Sequence, residues 1–344
     1  MQKGDTIAIR LVQVGMGGWG RNWATRVVQQ SEDVQLVACV DLNPEMLAQA
    51  QQLLQLPAER CFQTLEAALA NFEADAVLIT TTLPAHVPVA LEALRAGKHV
   101  LLEKPFAPTL AEAREVVKTA AEHNRILMIS QNYRFFPAVQ AVTALVREQK
   151  LGEIGSVTID FRRYKNDAAP ENQGYFRIWQ PLLVDMAIHH FDLMRFVLGQ
   201  EPVQINCQTW NPPWSRFMDP AAAAATITFD GGTVVSYRGS WVSPGPRTSW
   251  SGEWHMECTG GEIVWISRDD SAPDRVTIRR LGKRPYQVRL PAFEFTDRRG
   301  SLRAFAQAVQ TGQEPGSSGR DNLHSLALMF AAVESATTHL PVLL

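Results

Sequence analysis

Short apolar runs and helical stretches alternate along the first part of the chain. Residues 7–14, 35–40, 76–81, 99–102 and 126–130 are strand-like and mostly apolar, as strands buried on both faces are. Between them, helical patterns cover 21–29, 44–54, 64–71 and 86–96. A further helix is opened by the capping box Thr109-Leu110-Ala111-Glu112. Strand–helix units repeated at this length predict a doubly wound parallel sheet, an α/β Rossmann domain over residues 1–131.

The period then changes. After a helix at 138–150, residues 156–164, 203–210, 223–229 and 233–241 alternate apolar and polar, and 254–259, 262–267, 275–281 and 287–290 supply further strands. Asp230-Gly231-Gly232 and Gly260-Gly261 are hairpin turns between such runs. One helix, 182–198, sits inside this β region and stops at Gly199. Two amphipathic helices, 299–311 and 320–339, close the chain, joined by a Gly/Ser/Pro-rich link that reads as a flexible loop. The expectation for 132–344 is an α+β domain with a mostly antiparallel sheet. One face would be covered by helices and the other left for a ligand or partner subunit, with the last helix free to pack back on the first domain.

At 344 residues the chain exceeds the size at which one core stops growing, which supports two domains. A net charge of −2 argues against a nucleic-acid binder, which needs a basic face. Residues 1–6 lack the apolar core of a secretory leader, and no run reaches membrane-spanning length, so a cytoplasmic protein is expected. Cys39, Cys61, Cys207 and Cys258 are far apart, without metal-ligand spacing, and read as reduced. Seven of the nine tryptophans fall in the second half. They could be sugar-stacking platforms, though core and interface packing explains most of them more simply.

Several stretches carry chemistry. Gly15-Met16-Gly17-Gly18-Trp19-Gly20 follows the first strand and precedes a helix, the context in which G-x-G-x-x-G has meaning. Gly15 permits the turn, Gly17 admits a pyrophosphate and Gly20 allows helix and strand to approach. Asp41 ends the second strand about 20 residues on, where an acid accepts from an adenosine ribose and disfavours a 2′-phosphate. That points to NAD, with Arg21 leaving NADP open. Thr80-Thr81-Thr82 and His86 lie at the exit of a later strand, His86 more as packing than as a catalyst. His99-Val100-Leu101-Leu102-Glu103-Lys104-Pro105 delivers Lys104 to the ligand edge of the sheet. The junction Gln131-Asn132-Tyr133-Arg134-Phe135-Phe136-Pro137 leaves the last parallel strand at that end. On the 182–198 helix, Asp185, His189 and Asp192 share a face, and a carboxylate that orients an imidazole suits general acid/base work. His190 faces elsewhere and reads as structural.

Taken in order, these stretches resemble the Gfo/Idh/MocA family of oxidoreductases, and the likeness runs on through Leu151-Gly152-Glu153 and Gly319-Arg320-Asp321. The resemblance implies catalysis by Lys104, Asp185 and His189 at a nicotinamide ring, acting on a secondary alcohol or ketone of a sugar, polyol or cyclitol. It implies cofactor contacts from Gly15, Gly17, Gly18, Trp19, Gly20, Asp41, Thr81, Thr82, His86, Glu103, Lys104 and Asn132. Substrate contacts would come from Lys104, Tyr133, Arg134, Arg163, Asp185 and His189. Charge, apolar run length and cysteine spacing leave no nucleic acid, no membrane and no metal as expectations, and the resemblance implies a carbohydrate-like substrate and a homodimer or homotetramer. Relatives carry a glycine-rich stretch where this chain has Trp179-Gln180-Pro181-Leu182-Leu183-Val184, and often Gly where it has Ala187, so bulk could reshape the pocket. A redox-neutral glycosidase or lyase and a cofactor-binding sensor are the competing readings.

Overall fold

The apolar runs of the first half become six parallel strands: β1 (Ile9–Val14), β2 (Val34–Val40), β3 (Cys61–Phe62), β4 (Ala76–Ile79), β5 (His99–Leu102) and β6 (Leu127–Ile129). The computed structural model describes residues 8–167 and 170–344. Ile7 and residues 1–6, which entered the sequence reading, lie outside the described residues. Helices α1 (Gly18–Arg26), α2 (Pro44–Leu54), α3 (Leu65–Asn71), α4 (Leu83–Arg95) and α5 (Leu110–Glu122) connect the strands. Their starts follow local rules. Asn43 caps α2 at 2.9 Å with Pro44 in the first turn, and Thr64 and Thr109 cap α3 and α5, each accepting at 3.2 Å. The strand order β3-β2-β1-β4-β5-β6 reverses direction between β1 and β4. In such sheets the ligand crevice lies beyond the carboxyl ends of the strands at that reversal.

The second half forms a nine-stranded sheet. It comprises β7 (Ile154–Arg162), β8 (Pro202–Trp210), β9 (Ala222–Phe229), β10 (Val234–Ser240), β11 (Glu253–Cys258), β12 (Gly261–Ile266), β13 (Arg275–Arg280), β14 (Tyr286–Gln287) and β15 (Val342–Leu343). Their order is β14-β13-β12-β11-β7-β10-β9-β8-β15, antiparallel except where β7 runs parallel to β10. Alternation puts Val157, Ile159, Phe161, Met256 and Ile263 inside, with Trp254 and Trp265 stacked at 4.5 Å. Of the seven tryptophans, Trp241, Trp254 and Trp265 are core, while Trp179, Trp210 and Trp214 are exposed. The helices here are α6 (Pro137–Arg147) and α7 (Ile188–Leu198). The predicted 182–198 helix is continuous in position but not in type, because Leu182–Ala187 is wound as a π-helix before α7.

Two compact units result: Met1–Asn132 with Phe295–Leu323, and Tyr133–Glu294 with His324–Leu344. A single cut after Gln131 does not describe this, because α8 (Asp297–Thr311) and the start of α9 (Gly319–Thr338) return to the first unit. The link between α8 and α9, read as a flexible loop, is docked. The Ile129 amide donates to Ser317 O at 2.9 Å, and Ser318 bridges Met128. Among the described residues no helix is long and apolar enough to cross a membrane.

His190 is sealed in the second unit's core. Its Nε2 lies 2.9 Å from the Trp250 carbonyl and its Nδ1 3.0 Å from the Tyr237 hydroxyl. A carbonyl only accepts, so Nε2 carries the proton and Nδ1 accepts from Tyr237. Burial pushes the imidazole down from 6.5 to about 4, the Trp250 bond opposing only partly. The folded chain therefore holds His190 neutral where the unfolded chain protonates it. Its stabilising contribution is full above pH 6.5 and is lost as pH falls toward about 4, roughly 3 kcal/mol in all. Urea denaturation of His190→Gln, which does not titrate, is expected to change less across that window by about that amount. Parallel pH curves for the two proteins would remove His190 as the cause.

Candidate active site

The glycine turn is fixed by close approach. Gly15 has φ +93°, and a Cβ there would stand 2.6 Å from the Thr81 nitrogen. One on Gly20 would stand 1.8 Å from the Gly15 oxygen. Both positions therefore require glycine. Thr80 donates its hydroxyl to Gly15 O at 2.7 Å, and Gln13 Nε2 donates to Gly20 O at 2.7 Å, tying β1, α1 and β4 together. Gly17 and Gly18 face open space, with nothing within 4 Å of a Cβ. Gly17 caps α1 without any side-chain bond to its amides. Thr81 Oγ1, at the lip of the same crevice, is buried with no hydrogen-bond partner, and Thr82 is the exposed residue before α4. Open glycines, free helix-end amides and an orphaned hydroxyl fit the pyrophosphate of a dinucleotide. Trp19 lies beside them with the Arg298 guanidinium 4.3 Å above its ring. Asp41 accepts from the Met16 amide at 2.6 Å and the Asn43 amide at 2.9 Å, which orients the carboxylate at the end of β2.

Glu103, expected at the cofactor, is engaged by the first unit's own residues. It is buried and accepts from the Trp23 indole at 2.7 Å, so it clamps α1 to the end of β5. Burial pushes its carboxyl up, while the Lys104 charge and the Trp23 bond pull the other way. His86 is likewise a positioning group, spanning the Pro105 carbonyl at 2.8 Å and the Thr81 carbonyl at 3.2 Å. Burial holds its imidazole below the usual value. It thus braces the turn that carries half-buried Lys104. The Asn132 side chain is bonded to Asp297 at the start of α8.

Residues 132–135 form a tight 3₁₀ turn, and its second-unit residues 133–135 face α7. Tyr133 stacks on His189 at 4.1 Å with the rings 3° from parallel. Arg134, expected to touch substrate, instead grips Asp192 through Nε at 2.6 Å and Nη2 at 2.5 Å, both residues buried. Ser325 adds a bond to Asp192 at 2.9 Å. His189 and Asp192 do share the face that meets this turn, but Asp192 is a structural anchor because its charge is fully matched. Asp185 receives a hydrogen bond from the Tyr175 phenol, which burial first and Asp185 second hold far above its usual range. Tyr175, Trp23 and Trp250 were invisible to motif reading, since no spacing rule ties them to their partners. Arg163 is buried over the Trp250 ring at 4.2 Å and donates Nη1 to Asp270 at 2.8 Å. Of the stretch that departs from the family pattern, Leu182, Leu183 and Val184 are buried, as is Ala187, while Trp179 is exposed.

A family profile described as "Oxidoreductase family, NAD-binding Rossmann fold" matches residues 9–131, and the GFO/IDH/MocA C-terminal domain profile matches 139–264. An inositol 2-dehydrogenase of Rhizobium meliloti is 28% identical over 340 residues, covering 96% of this chain and 97% of its own. Among solved structures, an oxidoreductase from Agrobacterium radiobacter, in complex with NAD+, L-tartaric acid and magnesium, superposes with TM-score 0.85 at 21% identity. That match covers 98% of each chain. An aldose-aldose oxidoreductase from Caulobacter crescentus does so with TM-score 0.85 at 22% identity, over 98% of this chain and 100% of that one.

Asp41→Ala is expected to raise the dissociation constant for NAD roughly tenfold and that for NADP less, because only the former loses an acceptor without relief of a repulsion. Titration of both dinucleotides by intrinsic fluorescence measures this, and equal weakening would refute the ribose assignment.

Proposed function

The chain belongs to the Gfo/Idh/MocA family of oxidoreductases, and from that premise we propose that it moves a hydride between nicotinamide and a secondary alcohol or ketone carbon of a sugar, polyol, cyclitol or derivative. The observation that carries the reading is His189, a titratable ring stacked on Tyr133 one turn past Asp185, in a chain whose glycine turn fits a dinucleotide. The bound nicotinamide supplies the hydride acceptor or donor. Gly17, Gly18, Trp19, Thr81, Thr82 and Asp41 are the residues proposed to hold it, NAD in preference to NADP.

The protein's own residues handle the proton. In the oxidative direction His189 takes the proton of the reacting hydroxyl, and in reduction it returns it. The Lys104 ammonium donates to the same oxygen and favours its alkoxide character. Asp185, held by Tyr175, orients the ring or passes the proton on. Tyr133 and Arg163 line the substrate side. The sheet face left for a partner and the family habit suggest a homodimer or homotetramer, and reduced cysteines fit the cytoplasm.

Lys104→Met is expected to lower turnover by roughly a thousandfold or more while dinucleotide affinity stays within a few-fold. Nicotinamide absorbance against a panel of sugars, cyclitols and their keto forms, beside a dinucleotide titration, checks both halves. Loss of dinucleotide binding in a folded variant would undo the role given to Lys104.

A further inference from the structure

Arg163 leaves half of its guanidinium unused. The side chain is 4% exposed, Nη1 is paired with Asp270, and Nε and Nη2 are buried with no hydrogen-bond partner. Buried donors of this kind are rare because each forfeits its bonds to water, and a charged one forfeits most. Nε and Nη2 point the same way, spaced for the two oxygens of one carboxylate. Among the described residues the chain fills that same edge with a carboxylate in Arg10–Asp75, Arg134–Asp192, Arg195–Glu201 and Arg238–Asp160.

The surroundings add positive charge. The Lys165 ammonium lies 5.4 Å from the Trp250 ring and the Arg268 guanidinium 5.4 Å from it, so these two cations share one indole with Arg163. Among the described residues the opposing carboxylates are already engaged. Asp270 takes Arg163 Nη1 and the Trp250 indole, Asp269 takes the Ser271 and Ala272 amides, and Asp274 takes the Arg268 amide and Ser267 hydroxyl. The cluster also abuts the acid/base histidine. Arg268 lies 4.6 Å over the Tyr133 ring, and Tyr133 stacks on His189.

We propose that the substrate carries a carboxylate, an aldonate or uronate rather than a neutral polyol, clamped by the Nε/Nη2 edge of Arg163 and attracted by Lys165 and Arg268. This rests on the dehydrogenase reading and narrows its substrate class. Lys165 and Arg268 are half-buried, so solvent reaches them. An acid that reaches them lies beside Arg163 on the same indole.

The test compares matched pairs in the presence of NAD: gluconate with glucitol, glucuronate with glucose, galacturonate with galactose. Initial rates and equilibrium dialysis are measured on each. At least one acid is expected to be favoured over its neutral partner by roughly 100-fold, the scale of two charge-assisted hydrogen bonds, with the ratio collapsing toward one in Arg163→Met. Lys165→Gln and Arg268→Gln, at half-buried positions, are expected to cut the ratio several-fold and keep the test decisive should Arg163→Met not fold. A neutral partner favoured in every pair overturns the proposal and leaves the dehydrogenase reading standing. So does failure of every acid to bind at about 10 mM, well above ordinary KM values. An acid preference that survives the folded variants overturns the assignment to these residues. An acid that binds through Arg163 without any nicotinamide reduction supports the carboxylate site and defeats the dehydrogenase reading.

Discussion

The buried pair Arg134–Asp192 is the constraint on which α7 and the turn facing it depend. Two charges removed from water are tolerable only when every strong donor and acceptor is met, and losing one partner from such a pair costs about 3–5 kcal/mol. Here the guanidinium meets both carboxylate oxygens, Ser325 adds a hydroxyl to one of them, and Arg195 in turn holds Ser325 at 2.8 Å. The consequence is positional. The 132–135 turn cannot shift along α7 without stranding a charge, so Tyr133, the next residue back, is held against His189. The pair thereby fixes the register of Tyr133 against the ring proposed to carry the proton.

The same economy of charge explains which sequence expectations changed role. Strands and helices of the first unit were legible because their apolar runs, caps and glycines act over a few residues. Thr64, Thr109 and Asn43 each cap the helix that their local sequence announces. The two-residue strands β3 and β15 were not legible, since they exist only through pairing with Cys39–Val40 and with Gln204–Ile205. Nor was the docking of Ser317 and Ser318 on β6, because a Gly/Ser/Pro composition reports local freedom and says nothing of what the backbone can pair with. Among site residues, type was legible and partner was not. Glu103 finds Trp23 across 80 positions and Arg134 finds Asp192 across 58. Residue spacing carries no information about pairs so separated.

Neighbouring histidines on α7 show how little sequence distance separates chemistry from structure. One helical step turns the side chain by about 100°. That step takes His189 onto the Tyr133 ring, beside a turn built from polar groups. It takes His190 into the core, where Tyr237 and Trp250 satisfy both nitrogens and burial keeps the ring neutral. A proton that must come and go near neutrality cannot be handled by a ring whose charged form is excluded. His190 is therefore scaffold by physics, whatever its neighbour does.

Arg134 and Arg163 extend that reasoning from histidine to arginine. Both are almost fully buried, both lie in segments that approach α7 or the residues packed on it, and neither can shed its charge. The chain closes the Nε/Nη2 edge of Arg134 with Asp192, and what results is rigid. On Arg163 it closes only Nη1 and leaves that edge open, although it supplies carboxylates to the equivalent edge of Arg134 and Arg195. A buried charge half satisfied from within is a standing cost to the folded state. Such a cost is offset when the missing acceptor arrives from outside, and the acceptor that fits best is the one the chain uses itself.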